Sequence, residues 1–551
     1  MPGTDFDPRR DTRFDTHQVG NQPPAFFPRD LWQDDIALRD AALREGAGAL
    51  VEQVATYGAL AGDALPVLAD EAHRDRPRLR AYDRFGHRID RVEFNPAYHQ
   101  VMDAAISHGV AGLPWAQPQA GAHVARAALS YLHYQVEPGS SCPLTMTHAA
   151  VPVLQREPAL HAWARKAATP QYDPRDVPMG EKAGVTIGMG MTEKQGGSDV
   201  RANTTVATRL AAASEYTLVG HKWFFSAPMS DALLVLAQAP GGLSCFLLPR
   251  WRPDGSRNAL RIMRLKDKLG DWSNASSEVE FEGAWAQRVG EEGRGVATII
   301  EMVMFTRLDC MVGSAGLMRM ALAQATHHAR HRSAFGKRLI EQPLMRRVLA
   351  DLSLELEAAT AFAFRVAGAV DRAAHDANEA AFARIATAIG KYWICKRAPV
   401  FVNEAQECLG GAGYVEESGM PRLYRQAPLN SIWEGSGNIQ CLDVLRALAR
   451  EPDTRAALLV ELQAAAGRDA AYDAALAAGS VLLAGGIGEA QARQLVETLA
   501  LLLQAATLLR AGHPLARDWC ATRLAGAGGL SYGASAVDTD IDTAISRILP
   551  A

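Results

Sequence analysis

The chain has 551 residues, 48% of them hydrophobic and 21% charged, which fits a globular protein with a large core. A formal net charge of −4 removes any global electrostatic case for a nucleic-acid binder. At roughly 100–200 residues per domain, the length predicts three or four units.

The N-terminus is polar (Asp5, Asp7, Arg9, Arg10, Asp11) and lacks the apolar stretch of a signal peptide. No uninterrupted apolar run approaches the ~20 residues of a membrane span. The nearest, 499–509, is broken by Gln504 and Thr507 and reads as a buried helix. Seven cysteines (Cys142, Cys245, Cys310, Cys395, Cys408, Cys441, Cys520) are scattered without a C-x-x-C pair, so free or buried thiols in a reducing compartment are expected. The expectation is a cytoplasmic protein with no membrane partner.

An N-terminal helical domain is predicted over 1–183. Segments 31–57 and 122–134 repeat apolar residues at three and four positions, with proline and glycine punctuation at Pro23-Pro24 and Pro138-Gly139. The texture changes at Gly184. Short β-branched and aromatic runs at 185–189, 216–225, 233–237, 243–248 and 278–281 predict a middle β domain, barrel or sandwich, over 184–285. Helical texture returns at 296–331, 344–372, 379–409 and 439–448 with apolar residues on most sides, which predicts a four-helix bundle over 286–450. An Ala- and Leu-rich helical extension occupies 451–551. The fold class is α+β.

Four stretches could carry chemistry. Met191-Thr192-Glu-Lys-Gln-Gly196-Gly197-Ser198-Asp199 follows a predicted strand; its glycines admit a flat or phosphorylated ligand close to the backbone, or simply make a tight turn. Lys222-Trp223-Phe224-Phe225-Ser226 can wall one face of a planar ring, or form a sheet core. Arg332-Ser-Ala-Phe335-Gly336 with Gln342 can hold a pyrophosphate, or stop a helix. In Ile432-Trp433-Glu434-Gly435-Ser436-Gly437-Asn438, an apolar setting would raise the pKa of Glu434 and suit it to abstract a proton near neutral pH. Ser431-x-x-Glu434 also matches a helix capping box. His327, His328 and His331 lack further ligands in the sequence around them, so no metal is expected.

Taken in order, these stretches resemble the acyl-CoA dehydrogenase superfamily. Thr192 to Asp199 looks like its T-E-x-x-x-G-S-D segment, and Lys222 to Ser226 like its K-x-W-[IF]-[STN] strand. Arg332, Phe335, Gly336, Leu339 and Gln342 resemble its R-x-x-F-G element, one residue shorter. Leu409 to Tyr414 resembles its L-G-G-x-G-Y turn, and Tyr424 to Gln440 its Y-R…I-[YW]-E-G segment. Thr16 to Pro24, Cys142 to His148 and the C-terminal extension are similar to the AidB branch, associated with the adaptive response to DNA alkylation.

The resemblance implies FAD as cofactor, an acyl-CoA substrate with a short or branched chain, and Glu434 as the base that removes the α-proton while hydride leaves to flavin N5. It implies cofactor contacts by Met191, Thr192, Gly197, Ser198, Phe225, Ser226, Ile432, Trp433, Gly435, Ser436 and Asn438. Arg332, Phe335, Gln342, Glu407, Gly410 and Gly411 would reach FAD in a neighbouring subunit of a homotetramer. The electron acceptor is left open, with electron-transfer flavoprotein as one choice. Isovaleryl-type members place the base just before an arginine on the helix after the β domain; Thr306 stands there, ahead of Arg307, and leaves Glu434 without a rival. The alternative is a flavin-containing, DNA-associated stress protein with weak dehydrogenase activity. Residues 451–551 hold seven arginines, no lysine and eleven acidic residues, a net −4, so double-stranded DNA would depend on a cluster such as Arg510, Arg517 and Arg523.

Overall fold

The computed structural model describes residue 16 and residues 19–211, 214–537 and 539–550. The acidic and basic residues at 5–11, and His17 and Gln18 of the AidB-like stretch, lie outside them.

The N-terminal part is built from helices, among them Ile36–Glu45, Val51–Asp63, Pro96–Ser107, Ala122–Val136 and Pro138–Gln155. The periodic stretch 31–57 divides because Gly46 takes a left-handed φ of 114° that ends the first helix and re-aims the chain. A two-stranded antiparallel hairpin, Arg78–Tyr82 with Arg88–Glu93, interrupts the helices. Its arginine-rich, mostly exposed strands hide the β signal. It reaches the middle domain, where Arg88 donates to the Ile262 carbonyl at 2.9 Å and Asp90 accepts from the Ile262 N–H at 3.1 Å.

The middle domain is a seven-stranded sheet whose pairings close on themselves. Ala232–Ala239 pairs with Val206–Arg209 and with Gly242–Pro249. Ser276–Val289 pairs with Gly242–Pro249 and with Glu215–Ser226, and the latter returns to Val206–Arg209. The result is a small barrel whose interior is filled by Tyr216, Leu218, Phe225, Phe246, Phe281 and neighbours. Ile187–Gly190 adds in parallel to one barrel strand and Leu260–Leu265 antiparallel to another. Val206–Arg209 and Leu260–Leu265 are strands that the sequence pattern does not announce, being short or heavily charged.

Gly295–His331, Pro343–Arg372, Ala377–Glu407 and Gly437–Arg450 form the bundle. Their near-continuous burial accounts for the all-round apolar pattern. The helices of the extension pack on this bundle: Pro452–Gln463 on Ala377–Glu407, Ile541–Ile548 on Pro343–Arg372, and Ala492–Arg510 on both. Arg319 of the first bundle helix binds Asp35 at 3.0 Å and the Ile548 carbonyl, so one guanidinium joins the first helix, the bundle and the last helix. Among the described residues Glu489–Arg510 is the one helix long and apolar enough to cross a membrane, and 72% of its most apolar window is buried within the protein. All seven cysteines are free and buried.

Candidate active site

A cavity of about 760 Å³ opens where the barrel, the Pro138–Gln155 helix and the bundle meet. Met189, Met191, Ile299, Ile300 and Val303 supply much of its apolar wall, and Tyr134, Cys142, Thr145 and Cys310 lie along its helical side. Glu434 faces into it from the stretch between the short helix Leu429–Ile432 and the helix Gly437–Arg450.

The backbone there is unusual. Glu434 has φ 57° and Gly435 φ 92°, two consecutive left-handed residues. For a glutamate this conformation is uncommon and persists only when neighbours over-determine it. Three side chains do so. Arg307 Nε donates to the Glu434 carbonyl at 3.1 Å, Gln440 Nε2 donates to the Glu434 and Gly435 carbonyls at 3.0 and 2.9 Å, and Lys391 Nζ donates to the Gly435 carbonyl at 2.7 Å. Trp433 is fixed by its indole N–H on Asn430 Oδ1 at 2.9 Å.

The carboxylate itself meets Thr306, whose hydroxyl lies 2.7 Å from Glu434 Oε2 and 3.0 Å from the Val303 carbonyl. A hydroxyl has one proton and two lone pairs. Thr306 can therefore donate to an ionised Glu434, or accept from a protonated one while donating to Val303, and so serves both charge states of a base. Burial pushes the pKa of Glu434 up from its ordinary value; the Thr306 hydrogen bond, Lys391 and Arg307 pull against it. The capping-box alternative fails here, because no helix begins at Ser431: its hydroxyl bonds back to the Pro428 carbonyl at 2.9 Å.

Of the residues singled out from sequence, Met191, Thr192, Gly197, Ser198, Ser226, Ile432, Trp433, Gly435 and Ser436 line this cavity with Glu434. Phe225 does not. Side chains alternate along a strand, so Phe224 and Ser226 face the cavity while Phe225 turns into the barrel, fully buried 6.1 Å from Phe281. Phe224, 58% exposed, is the aromatic face the cavity offers. Asn438 is also misplaced: it sits about 100° around the first helical turn from Ile439, and its amide oxygen accepts from Arg493 at 2.8 Å.

Arg332, Phe335, Gln342, Glu407, Gly410 and Gly411 do not reach this cavity. Arg332 donates to the Asn21 carbonyl and Gln342 to the Ala334 carbonyl, and Phe335 is 99% exposed with φ 53°. Glu407, Gly410 and Gly411 lie exposed at the end of a bundle helix.

The arginines of the extension are not the open cluster expected. Arg510 binds Glu461 at 2.6 Å, and Arg523 binds Asp351 at 2.6 Å and Glu355 at 3.3 Å, all carboxylates buried in the protein. His513 bonds Glu357 at 3.0 Å. Of the three arginines, Arg517 is solvent-exposed and has no side-chain hydrogen bond or ion pair among the described residues. Of the three histidines, His327 bonds the Pro24 carbonyl at 2.9 Å and His331 the His327 carbonyl at 2.8 Å.

Sequence reasoning missed Phe224, Lys391 and the cavity-lining Lys266, whose ammonium lies 4.6 Å from the Phe224 ring centre. Strand alternation from Ser226 would have found Phe224. For Lys391 the signal was a lone lysine in an otherwise apolar helical stretch.

Three family models match the chain: the N-terminal domain of the adaptive response protein AidB over residues 21–174, the acyl-CoA dehydrogenase middle domain over 188–284 and the acyl-CoA dehydrogenase C-terminal domain over 293–449. AidB of Escherichia coli (strain K12), which carries an acyl-CoA dehydrogenase name, is 49% identical over 520 residues, 94% of this chain and 96% of that protein. Acyl-CoA dehydrogenase family member 11 of Caenorhabditis elegans is 33% identical over 69% of this chain and 63% of its own length. The crystal structure of C. elegans ACDH-11 in complex with C11-CoA superposes with a TM-score of 0.84 at 26% identity, covering 98% of this chain and 93% of that one. Butyryl-CoA dehydrogenase from Megasphaera elsdenii shares the fold at a TM-score of 0.58 and 20% identity, over 75% of this chain and 98% of its own. With its matched domains in family order and near-complete coverage of a relative at 49% identity, this chain belongs to the acyl-CoA dehydrogenase family, an oxidoreductase family of FAD flavoproteins, in its AidB branch.

Proposed function

We propose that the chain is an acyl-CoA dehydrogenase in which Glu434 removes the α-proton of a thioester bound in the 760 Å³ cavity. The observation that carries this reading is the Glu434–Thr306 contact at 2.7 Å, which joins residues 128 apart in sequence on the wall of an apolar cavity.

The residues present fit a flat cofactor ring. Phe224 offers an aromatic face 58% exposed, with Ser226 beside it. Gly197 lets the loop close on Thr192, since a Cβ there would lie 2.4 Å from Thr192 Oγ1. Met191, Thr192, Gly197 and Ser198 would hold one edge of FAD and Trp433, Gly435 and Ser436 the other side. When bound, FAD supplies the acceptor for the hydride that leaves the β-carbon. Glu434 takes the α-proton, and its raised pKa brings the proton affinity nearer that of a thioester α-carbon. Thr306 keeps the carboxyl in one position before and after proton transfer, and the apolar wall excludes water from the newly formed acid.

An acyl chain would run between the methionine and isoleucine wall and the helix bearing Cys142 and Thr145. Short and branched chains are the first substrates to test, with C11-CoA, the ligand of the nematode neighbour, as the longer comparison. Phe335, Glu407, Gly410 and Gly411, exposed in one copy, with Arg332 and Gln342, half-buried there, would meet the FAD of a neighbouring copy in a homotetramer. A DNA-associated role remains a separate proposal. It would rest on another surface, since Arg510 and Arg523 are engaged by bundle carboxylates.

Anaerobic addition of acyl-CoAs to the flavin-loaded protein, followed at the absorbance of oxidised flavin, tests the reading. Bleaching that disappears in Glu434→Gln with FAD retained supports it. A bound flavin that no thioester bleaches rejects it.

A further inference from the structure

We propose that Lys391 is a positioning residue for Glu434: its ammonium fixes the turn through the Gly435 carbonyl and acts as the buried counter-charge of the carboxylate. The inference rests on Glu434 being the base of the proposed reaction. Lys391 lies midway along Ala377–Glu407 and is 1% exposed. Among the described residues its only hydrogen bond is the one to the Gly435 carbonyl at 2.7 Å, and no carboxylate lies within ion-pair distance of it. An ammonium buried against a single carbonyl dipole is costly unless a negative charge stands nearby.

The other charged groups around the turn are already matched. From the Gly295–His331 helix, Arg307 pairs with Asp443 at 2.8 Å. Arg384, on the same helix as Lys391, and Arg446, beside Asp443 on Gly437–Arg450, pair with that same aspartate. Asp271 takes Lys268 at 3.1 Å and Arg425 takes Glu416 at 2.6 Å. Cys142 and Cys310 also face the carboxylate, and burial pushes both thiols up, so they stay neutral. Glu434 is the carboxylate left for Lys391, and Lys391 lowers its pKa against the effect of burial. The lysine thus keeps a base that must be ionised in a cavity that disfavours ionisation. Acting through Gly435, it holds that base at a backbone conformation glutamate rarely takes.

Lys391→Met removes the charge at nearly the same length, Lys391→Gln keeps a donor for Gly435 without charge, and Lys391→Arg keeps both. Two readouts are taken on the flavin-loaded protein: an infrared pH titration of the Glu434 carboxyl, by difference from Glu434→Gln, and the pH profile of thioester-driven flavin bleaching. In Met and Gln the carboxyl is expected to titrate at higher pH. Turnover should fall on the order of tenfold on the acid side and recover as pH rises, with Arg returning both readouts toward wild type. An unshifted titration, with a rate loss equal at every pH, overturns the counter-charge role. Should wild type bleach with no thioester, the reaction reading fails, while the infrared titration still decides whether Lys391 governs the carboxyl.

Discussion

The Glu434 turn and the C-terminal extension use similar residue types to different ends. In the extension, Arg510, Arg523 and Arg547 end on buried carboxylates at 2.6 Å each, and His513 on Glu357 at 3.0 Å. Each charge is cancelled within the protein, and what the pairs do is fasten the extension to the bundle. At the turn, Arg307, Gln440 and Lys391 bond backbone carbonyls, Arg307 also pairing with Asp443, and none of them touches the Glu434 carboxylate, which faces open volume with one hydroxyl partner. A charge that the surrounding structure supports but does not cancel marks a site of chemistry; a cancelled charge marks a joint.

The largest effect that tests this contrast is on catalysis. Glu434→Gln is isosteric and keeps the turn, so FAD should stay bound while thioester-driven bleaching slows by about 10³-fold, within the usual range for loss of a general base. A loss below tenfold would place the proton acceptor elsewhere. The wild-type profile should carry an acid limb. Glu434 must be ionised to accept a proton, its pKa is raised by burial, and activity should therefore fall as pH drops from a point above the ordinary carboxylate range.

On the extension side, Arg523→Ala leaves buried Asp351 without its cation and Glu355 with Arg397 alone, which should cost about 3 kcal/mol by chemical denaturation. Arg517→Ala, at an exposed position, should stay within about 0.5 kcal/mol. If both variants are equally mild, the extension's arginines are not joints. The same pair separates DNA affinity from stability, since only Arg517 can be removed without disturbing the fold. Salt-dependent retardation of duplex DNA that survives Arg517→Ala would exclude the expected cluster altogether.

Much of this was legible in the sequence. The three long bundle helices begin within two residues of where their apolar periodicity predicts, because burial on nearly every side leaves an unambiguous pattern. Glu434 and its Thr306 neighbour were legible through resemblance. What escaped was direction. Phe224 and Phe225 both suit a strand, and alternation separates them only once Ser226 is taken to face the cavity; pairing with Ser276–Val289 and the closure of the barrel fix that face. Nor does charge counting reveal that Arg510 and Arg523 are spent, because Glu461, Asp351 and Glu355 lie 49 to 172 residues away. The hairpin at 78–93 was hidden for a different reason, its strands being held by contacts to the barrel more than by their own apolar character.

The Phe224/Phe225 pair turns that lesson into a test. Phe225→Ala empties a fully buried position and should cost about 3–5 kcal/mol. Phe224→Ala removes an exposed ring and should leave stability within about 1 kcal/mol while weakening FAD retention, read as flavin released on dialysis. Reversed results would mean the strand register is wrong by one residue, which moves every side chain to the other face.

The smallest effect links the site back to stability. Glu434 has its pKa raised in the folded protein, so the folded state holds that proton more tightly than the unfolded chain. Its contribution is fully present below the unfolded value and is lost as pH rises through the folded one. Wild type therefore carries an unfavourable ionised carboxyl at neutral pH that Glu434→Gln does not. The variant's midpoint of thermal unfolding should exceed wild type's by about one degree near pH 8, with the difference closing as pH falls toward 4. A gap that stays constant with pH would come from packing, and a variant less stable at pH 8 would mean the ionised carboxylate is held favourably and the cavity does not resist it. The expected sign would make Glu434 a group kept at a cost to the fold, the energetic counterpart of a charge the protein supports without cancelling.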